Sequence, residues 1–262
     1  MTLDTAALRA GLLGPYAALD VVAETGSTNT DLCDAAIRGA RDRTVLIAER
    51  QTAGQGRRNR DWTSPAGGLY ASVLFRPDGV PPARWPWLTL LAGLALVRTA
   101  RGVGVEASLK WPNDLLVGDA KAAGVLAEIT ADATPAVVVG MGLNVAALPD
   151  GVRPGAGGLR PTSLEDHAGP LDRTALAITL LRELAGLEDA WRRAGGDEPS
   201  LRDEYRRHCA TLGSRVRVEL AKGDALVGTA RDLEPDGTLV VRDQTGVDHT
   251  VSAGDVVHLR VR

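Results

Sequence analysis

Four arginines and no acidic residue occupy the segment Arg50 to Arg60, in a chain of 262 residues whose formal net charge is −3. Its glycines let backbone N–H groups and guanidinium groups approach a compact anion, so the segment suits a carboxylate or a phosphate. The alternative is a solvated basic surface loop with weak nucleic-acid affinity. Because neighbouring arginines repel one another until an anion arrives, we expect this loop to be mobile without a ligand.

Three other blocks of the sequence accompany this segment. In chain order the four blocks are Thr25-Gly26-Ser27-Thr28-Asn29, the basic segment with the following Asp61 to Val73, Lys110-Trp111-Pro112-Asn113-Asp114, and Gly140-Met141-Gly142-Leu143-Asn144-Val145. Together they resemble the motifs of biotin protein ligases. A single Gly-x-Gly-x-Asn is weakly specific, whereas four ordered blocks within about 120 residues are a specific signal. The resemblance covers roughly residues 15–205.

Hydrophobic periodicity predicts a mixed α/β domain in which helices and strands interleave. Helices are predicted over 31–41, 87–101, 172–194 and 200–211, and strands over 44–48, 69–75, 105–109, 114–117, 123–129 and 136–145. The stretch 149–161 is rich in glycine and proline. Such a composition indicates a surface loop rather than a domain boundary.

The sequence changes in character after Leu212-Gly213. Short alternating runs follow over 215–220, 226–233, 238–241, 248–251 and 256–261. Hairpin turns such as Pro235-Asp236-Gly237 separate them, which predicts a small β-barrel. The resemblance implies an α/β (α+β) catalytic domain with a mixed β-sheet packed with helices over residues 1–211, and a C-terminal SH3-like β-barrel domain over 212–262.

Composition excludes several classes of protein. Cys33 and Cys209 lie far apart in helix-like segments, which favours reduced thiols and a cytoplasmic location. The N-terminus lacks the regions of a signal peptide, and the longest apolar stretch, 87–97, is too short to span a bilayer. The four histidines neither cluster nor keep metal-ligand spacing with the cysteines, so we expect no built-in metal. Any metal should arrive with a nucleotide.

The resemblance implies a two-step reaction. Biotin and MgATP give enzyme-bound biotinyl-5′-adenylate and pyrophosphate, and a lysine of a biotin carboxyl carrier domain then displaces AMP. Holding a carboxylate against an α-phosphate brings two anions together, which fixed cations make possible. The chain contains no Gly-x-x-x-x-Gly-Lys-Ser/Thr stretch, so a P-loop is not expected to bind the ATP.

The same resemblance implies roles for individual residues. Catalysis is expected from two cations, Lys110 and Arg57. The residues expected to contact biotin are Ser27, Thr28, Asn29, Gln51, Gly54, Gln55, Gly56, Arg57 and Lys110. The residues expected to contact the nucleotide are Arg57, Arg58, Arg60, Trp62, Lys110 and Asn144. The ligands of magnesium stay unassigned.

Each of these residues also has a structural alternative. The block Ser27 to Asn29 is natural capping material for the next helix. Trp62 could belong to the core, Asn144 could be a turn residue, and Lys110 could be a solvated turn lysine. Asp114 could orient Lys110, meet magnesium through water, or cap a turn.

The basic loop departs from the family pattern at two positions. Gln55 stands where the family usually has an arginine, so Arg57 must carry more of the anionic load. Asn59 stands where glycine is frequent, and this change is milder because asparagine adopts a positive φ more readily than most residues do.

Three other functions remain open at this point. A lipoate or octanoate protein ligase shares the fold, although the loop and the Lys-Trp-Pro-Asn-Asp block favour biotin. A DNA-binding repressor would need a winged helix, and the 24 residues before the Thr25-to-Asn29 block are too few for that module. A biotin-binding regulatory module without catalysis is third. We expect no binding to DNA or to a membrane, and both a monomer and a homodimer are open.

Overall fold

A computed structural model describes residues 2–130, 134–149, 151–154, 158–219, 225–252 and 254–259. The helices are α1 (Thr5–Leu12), α2 (Thr28–Ile37), α3 (Trp87–Gly102), α4 (Glu165–Ala168), α5 (Arg173–Arg193) and α6 (Pro199–His208). The first nine strands are β1 (Ala18–Val22), β2 (Thr44–Ala48), β3 (Gln55–Gly56), β4 (Arg60–Asp61), β5 (Leu69–Phe75), β6 (Ala107–Lys110), β7 (Asp114–Val117), β8 (Ala120–Ile129) and β9 (Val137–Leu143). The last five are β10 (Arg215–Glu219), β11 (Ala225–Leu233), β12 (Leu239–Asp243), β13 (Asp248–Val251) and β14 (Asp255–His258).

A seven-stranded sheet in the order β1-β2-β5-β9-β8-β7-β6 forms the centre of the part of the chain predicted as the catalytic domain, residues 1–211. The pair β1–β2 is parallel and the other neighbours are antiparallel, so the sheet is mixed as predicted. All seven residues of β5 are buried, because helices cover both faces of the sheet. Helix α2 packs against β5 and β9, while α3 packs against β6, β8 and α5.

The helix after the Ser27 block begins earlier than predicted. Ser27 has an extended backbone, and its side chain accepts a hydrogen bond from the backbone N–H of Thr30. This N-cap starts α2 at Thr28, three residues before the predicted start, because a cap satisfies N–H groups that lack an intrahelical partner. The helix ends at Ile37 and the chain turns at Gly39, which has a φ of 90°.

Sequence reasoning made no assignment for the first two elements. Helix α1 begins after Asp4, whose carboxylate caps it, and buries Leu8 and Leu12. Strand β1 is short, and its register beside β2 pairs Ala18 with Thr44. Pairing with a distant strand, rather than local propensity, makes such a segment a strand.

The C-terminal sheet contains the five strands after Gly213, in the order β13-β12-β11-β10-β14. Its strands are antiparallel and match the five predicted runs, with ends shifted by a few residues. Strand β10 alternates buried valines with exposed charged residues, which is the expected pattern for a sheet covered on one face. The predicted turn at 222–224 and the end of the last run, 260–261, lie outside the described residues.

The two sheets share one apolar core. A single cluster of buried side chains extends from α1 to β14. The Trp111 Nε1 donates to the Gly237 carbonyl oxygen at 3.0 Å, and the Trp87 Nε1 donates to that of Pro235 at 2.8 Å. A domain boundary at 211/212 therefore stays a prediction, although the second sheet does begin just after it.

The cysteines and the helix lengths can be compared with the predictions made from composition. Cys33 is half-buried and Cys209 is buried, and both are free thiols. Among the helices in the described part of the chain, none has the length and apolarity that crossing a bilayer requires.

Candidate active site

A small cavity, which we call the inner cavity, lies between the N-terminus of α2, the β3–β4 hairpin and strands β8 and β9. Its volume is about 50 Å³, enough for a few water molecules. Nine of the residues expected to contact a ligand line it: Ser27, Thr28, Asn29, Gln51, Gln55, Gly56, Arg57, Arg60 and Trp62. Residues from separate blocks of the sequence therefore meet here.

A network of hydrogen bonds orients the polar side chains on one wall of this cavity. The Gln51 Oε1 accepts from the backbone N–H of Thr28 at 2.9 Å and lies 3.0 Å from its hydroxyl. On its other side, the Gln51 Nε2 donates to the Ser64 hydroxyl at 2.9 Å. Since both ends of the amide are engaged, the side chain of Gln51 is held in one orientation.

Asn29 is held in the same way. Its Nδ2 donates to a Glu128 carboxylate oxygen at 2.7 Å and to the Leu126 carbonyl oxygen at 3.2 Å. The Ser72 hydroxyl lies 2.7 Å from the Asn29 Oδ1. A Cβ on Gly140 would come within 2.2 Å of this oxygen, so β9 needs glycine at this position. Sequence reasoning missed both Glu128 and Ser72.

The indole ring of Trp62 lies against two glycines that face each other across the sheet. Gly124 of β8 pairs with Gly142 of β9, and a Cβ on Gly142 would come within 2.4 Å of the Trp62 Nε1. The Nζ of Lys121 lies 5.2 Å from the ring centroid, within the range of a cation–π contact. Trp62 is therefore a wall of the site rather than a core residue, and its buried Nε1 has no hydrogen-bond partner.

Lys121 is the cation that sequence reasoning missed. Its Nζ lies 2.6 Å from the Asp114 Oδ1, and the lysine lines the inner cavity. A signal was present in the sequence, because Asp114 to Val117, the Gly118-Asp119 turn and the following strand form a hairpin. Counting residues back from that turn places Lys121 opposite Leu116, which lies two residues from Asp114 and on the same face of the hairpin.

Lys110, expected to be catalytic, does not line the inner cavity. It is buried beneath the surface, and its Nζ lies 3.8 Å from the Asp114 Oδ2. Burial lowers the pKa of Lys110 below its usual value, and the Asp114 carboxylate opposes this shift. Asp114 thus stands between two ammonium groups, and Lys121 is the one that reaches the cavity.

A second cavity of about 680 Å³, the outer cavity, borders the first. Gly56, Arg60, Trp62 and Lys121 line both cavities and form the wall between them. Asn144 lines the outer cavity, where its buried side chain donates to the Thr162 carbonyl oxygen at 3.0 Å. The loop 149–161 supplies the far side of the outer cavity, as far as its described residues show.

The basic loop forms a short hairpin, residues 55–61, which we call the arginine hairpin. Gln55 pairs with Asp61, and Gly56 with Arg60. At its tip Arg58 and Asn59 have φ values of 56° and 55°, so Asn59 does adopt the positive φ predicted for it. Just before the hairpin, Gly54 packs so tightly that a Cβ would lie 2.6 Å from the Trp62 carbonyl oxygen.

Among the three arginines of the hairpin, Arg57 has different partners from the other two. Arg57 donates to the Asn113 side-chain oxygen at 3.2 Å and to the Gly254 carbonyl oxygen at 3.2 Å. Burial lowers the pKa of Arg57, and the Asp255 carboxylate opposes this shift. Arg58 and Arg60 both contact Asp255 of the C-terminal sheet.

The structure thus brings most of the expected residues together. Ten of them line the two cavities: the nine of the inner cavity, and Asn144 in the outer one. Gly54, Arg58 and Lys110 are not among the residues lining either cavity. Gly54 and Lys110 lie in the layer behind the cavity wall, because both are buried under neighbouring side chains.

Comparison with known proteins agrees with this architecture. Residues 21–144 match the Biotin/lipoate A/B protein ligase family, and residues 211–259 match the Biotin protein ligase C terminal domain. The chain is 47% identical to the biotin–[acetyl-CoA-carboxylase] ligase of Mycobacterium tuberculosis (strain ATCC 25618 / H37Rv), over 98% of this chain and 96% of that protein. The chain belongs to the biotin protein ligase family.

Further members of the biotin protein ligase family extend this similarity. The bifunctional ligase/repressor BirA of Bacillus spizizenii is 30% identical over 89% of this chain and 71% of that protein. The biotin protein ligase of Aquifex aeolicus, solved in complex with biotin and ATP, gives a TM-score of 0.76 at 25% identity, over 94% of this chain and 100% of that one. The enzyme of Leishmania major in complex with biotinyl-5-AMP shares the fold, with a TM-score of 0.62 at 23% identity, over 90% of this chain and 99% of that one.

Magnesium is the metal that ATP chemistry implies for a biotin protein ligase. Within the described residues, no group of three or more His, Cys, Asp or Glu side chains could hold a metal ion. Asp114, the carboxylate considered for this role, is already neutralised by Lys110 and Lys121. These residues do not fit a magnesium ion held by the protein itself.

Proposed function

We propose that this protein is an ATP-dependent biotin protein ligase. It activates biotin to biotinyl-5′-adenylate and transfers the biotinyl group to a lysine of a biotin carboxyl carrier domain. The observation that supports this most is the pair of adjoining cavities, polar and narrow on one side and wide on the other, with Lys121 and Arg60 in the wall between them. A ligand that spans both cavities would place its reacting centre at these cations.

Biotin would occupy the inner cavity, which must widen to admit it because about 50 Å³ holds only a few water molecules. Its ureido ring carries both donors and an acceptor. The second N–H of the Gln51 amide and the second lone pair of the Asn29 Oδ1 are complementary to it, because the hydrogen bonds described above leave them unused. Because their hydrogen-bonding partners hold these side chains in place, little conformational entropy is lost on binding. Ser27 lines the same wall and also caps α2, so its two predicted roles are compatible.

The nucleotide would occupy the outer cavity, with Trp62 beside the adenine and Asn144 on the cavity wall. The biotin carboxylate would then meet the α-phosphate at the shared wall. There Lys121, with Arg57 from the wall of the inner cavity, would stabilise the charge that develops on the phosphoryl oxygens. Lys110 would act from the layer behind, through Asp114, rather than by contacting the phosphate.

The remaining assignments follow from the same proposal. Magnesium would enter as part of the MgATP substrate, since the described residues do not fit a resident ion. The macromolecular partner is a biotin carboxyl carrier domain, and a cytoplasmic location is part of the same proposal, supported by the free thiols of Cys33 and Cys209. DNA binding is not part of the proposal, and the oligomeric state is left open.

The purified protein tests the proposal directly when it is incubated with biotin, MgATP and a carrier domain. We expect streptavidin blotting to detect labelled carrier and a coupled assay to detect biotin-dependent pyrophosphate. Lipoate and octanoate are the matched controls and should release no pyrophosphate above background. Labelling with lipoate alone would assign the rival ligase activity, and biotin binding without pyrophosphate would assign a regulatory module.

A further inference from the structure

The arginine hairpin is anchored by a carboxylate from the C-terminal sheet. Arg60 forms a two-pronged contact with Asp255, since its Nη1 donates to the Oδ2 at 2.8 Å and its Nη2 to the Oδ1 at 3.0 Å. Arg58 donates to the same Oδ2 at 3.3 Å and to the Glu219 carbonyl oxygen at 2.8 Å. About 195 residues of chain separate these partners, so the contact links two distant parts of the fold.

The environment of Asp255 makes this contact strong. Its side chain is 11% exposed, whereas those of Arg58 and Arg60 are 39% and 41% exposed. Bidentate arginine–carboxylate contacts are stronger than hydrogen bonds between neutral groups. The sequence predicted that an anion would reduce the repulsion among the arginines. The protein itself supplies one, the Asp255 carboxylate at the start of β14.

The backbone at the hairpin tip is consistent with an anchored segment. Arg58 has a φ of 56°, in the left-handed region that arginine rarely adopts. Such a conformation costs free energy and persists where surrounding contacts determine it. The contacts of Arg58 to Asp255 and Glu219 are of this kind.

The same contacts indicate different roles for the arginines of the hairpin. The guanidinium groups of Arg58 and Arg60 are engaged by Asp255, although Arg60 also lines both cavities. Arg57 lines the inner cavity too, but it binds the neutral oxygens of Asn113 and Gly254. Arg57 therefore keeps its net positive charge available for an anionic ligand. The other two connect the hairpin to the C-terminal sheet.

We propose that Asp255 is a positioning residue that latches the arginine hairpin over the inner cavity through Arg58 and Arg60. Because Gln55, Gly56, Arg57 and Arg60 of the hairpin form part of the wall of the inner cavity, lifting the hairpin would open the cavity for a ligand to enter or leave. The latch would therefore slow the escape of a bound acyl-adenylate before transfer. This consequence rests on the proposed function, whereas the latch itself does not.

Limited trypsin digestion of the free protein tests the latch without any ligand. In Asp255→Asn we expect cleavage after Arg57 and Arg58 to be about tenfold faster than in the wild type, because local opening exposes the hairpin. Asp248→Asn is the matched control, since Asp248 forms a two-pronged contact with Arg242 inside the C-terminal sheet. That variant should leave cleavage of the hairpin unchanged, and Asp255→Glu should restore most of the protection.

Retention of the adenylate provides the second readout. With biotinyl-adenylate bound, Asp255→Asn should release it about tenfold faster, while Asp248→Asn should match the wild type. Unchanged cleavage and unchanged release in Asp255→Asn would overturn the latch. Slower release would also overturn it, because it would mean that Asp255 competes with phosphate for the arginines. If the wild type fails to form an adenylate, the proposed function fails while the digestion still decides the latch.

Discussion

At the scale of single residues, the site depends on which lysine reaches the cavity. Lys110 lies in the more recognisable motif, yet it is buried behind Asp114. Lys121 lies in the wall between the two cavities, where Asp114 fixes its position and Trp62 lies beneath it. A charge at the reacting centre stabilises a transition state more than a charge one layer away, because electrostatic interactions weaken with distance and screening.

This difference predicts the ranking of two alanine variants. Lys121→Ala should slow adenylate formation by about a hundredfold or more, as the loss of a direct electrostatic contact does. Lys110→Ala should slow it less, because Asp114 keeps its ion pair with Lys121. Biotin-dependent pyrophosphate release measures both rates, with circular dichroism as the check on folding. A larger loss in Lys110→Ala would return the catalytic role to that residue.

At the scale of elements, strand β9 contributes to the site through two glycines, whose lack of a side chain leaves space for neighbouring residues. Gly140 and Gly142 are two residues apart and therefore face the same side of the sheet. One makes room for Asn29 of α2, and the other makes room for the ring of Trp62. The Gly-Met-Gly-Leu-Asn block therefore gives β9 a face without side chains at Gly140 and Gly142, beside the inner cavity, and places Asn144 at the outer cavity.

Alanine substitutions at two positions of β9 should affect the KM values for biotin and for ATP separately. Gly140→Ala should raise the KM for biotin about tenfold, because the new methyl group displaces the Asn29 amide and its hydrogen bonds. Gly142→Ala should instead raise the KM for ATP, because it displaces Trp62. Steady-state kinetics with each substrate varied would measure the split.

The control for these variants is Gly186→Ala in α5, where a Cβ would meet no atom within 4 Å. It should leave both KM values unchanged and stabilise the helix slightly. Equal effects of Gly140→Ala and Gly142→Ala on both substrates would show that the strand as a whole is disturbed.

At the scale of the whole molecule, the C-terminal sheet is packed onto the catalytic part rather than tethered to it. The apolar core is continuous between the two sheets. Trp111, in the same motif as Lys110, donates its indole N–H to Gly237 at 3.0 Å. A motif predicted for catalysis thus also fixes the C-terminal sheet, and with it Asp255, relative to the arginine hairpin.

Weakening this contact should loosen the C-terminal sheet. Trp111→Phe should lower the free energy of unfolding by about 2 kcal/mol, because it leaves the Gly237 carbonyl unpaired and a void in the core. Hydrogen exchange should show faster exchange of the β12 amides. Trp85→Phe is the control, since its indole N–H donates to Val80 within the catalytic part. Loss of protection in β12 to the same extent in both variants would contradict this prediction.

Much of this protein was predictable from the sequence, because several signals are local. The short β-branched and apolar runs of β2, β5 and β7 predict their ends to the residue. The four ordered blocks predict the family, and the cap at Ser27 and the positive φ of Asn59 follow from side-chain chemistry.

Tertiary structure decided what depends on contacts between distant residues. Strand β1 exists because it pairs with β2, and Lys121 reaches the cavity because of the register between β7 and β8. Asp255 meets Arg60 across 195 residues of chain. Each of these features depends on how separate elements pack, which local propensity does not encode. Composition and spacing could therefore predict that the arginines bind an anion. They could not predict that the protein supplies an anion itself.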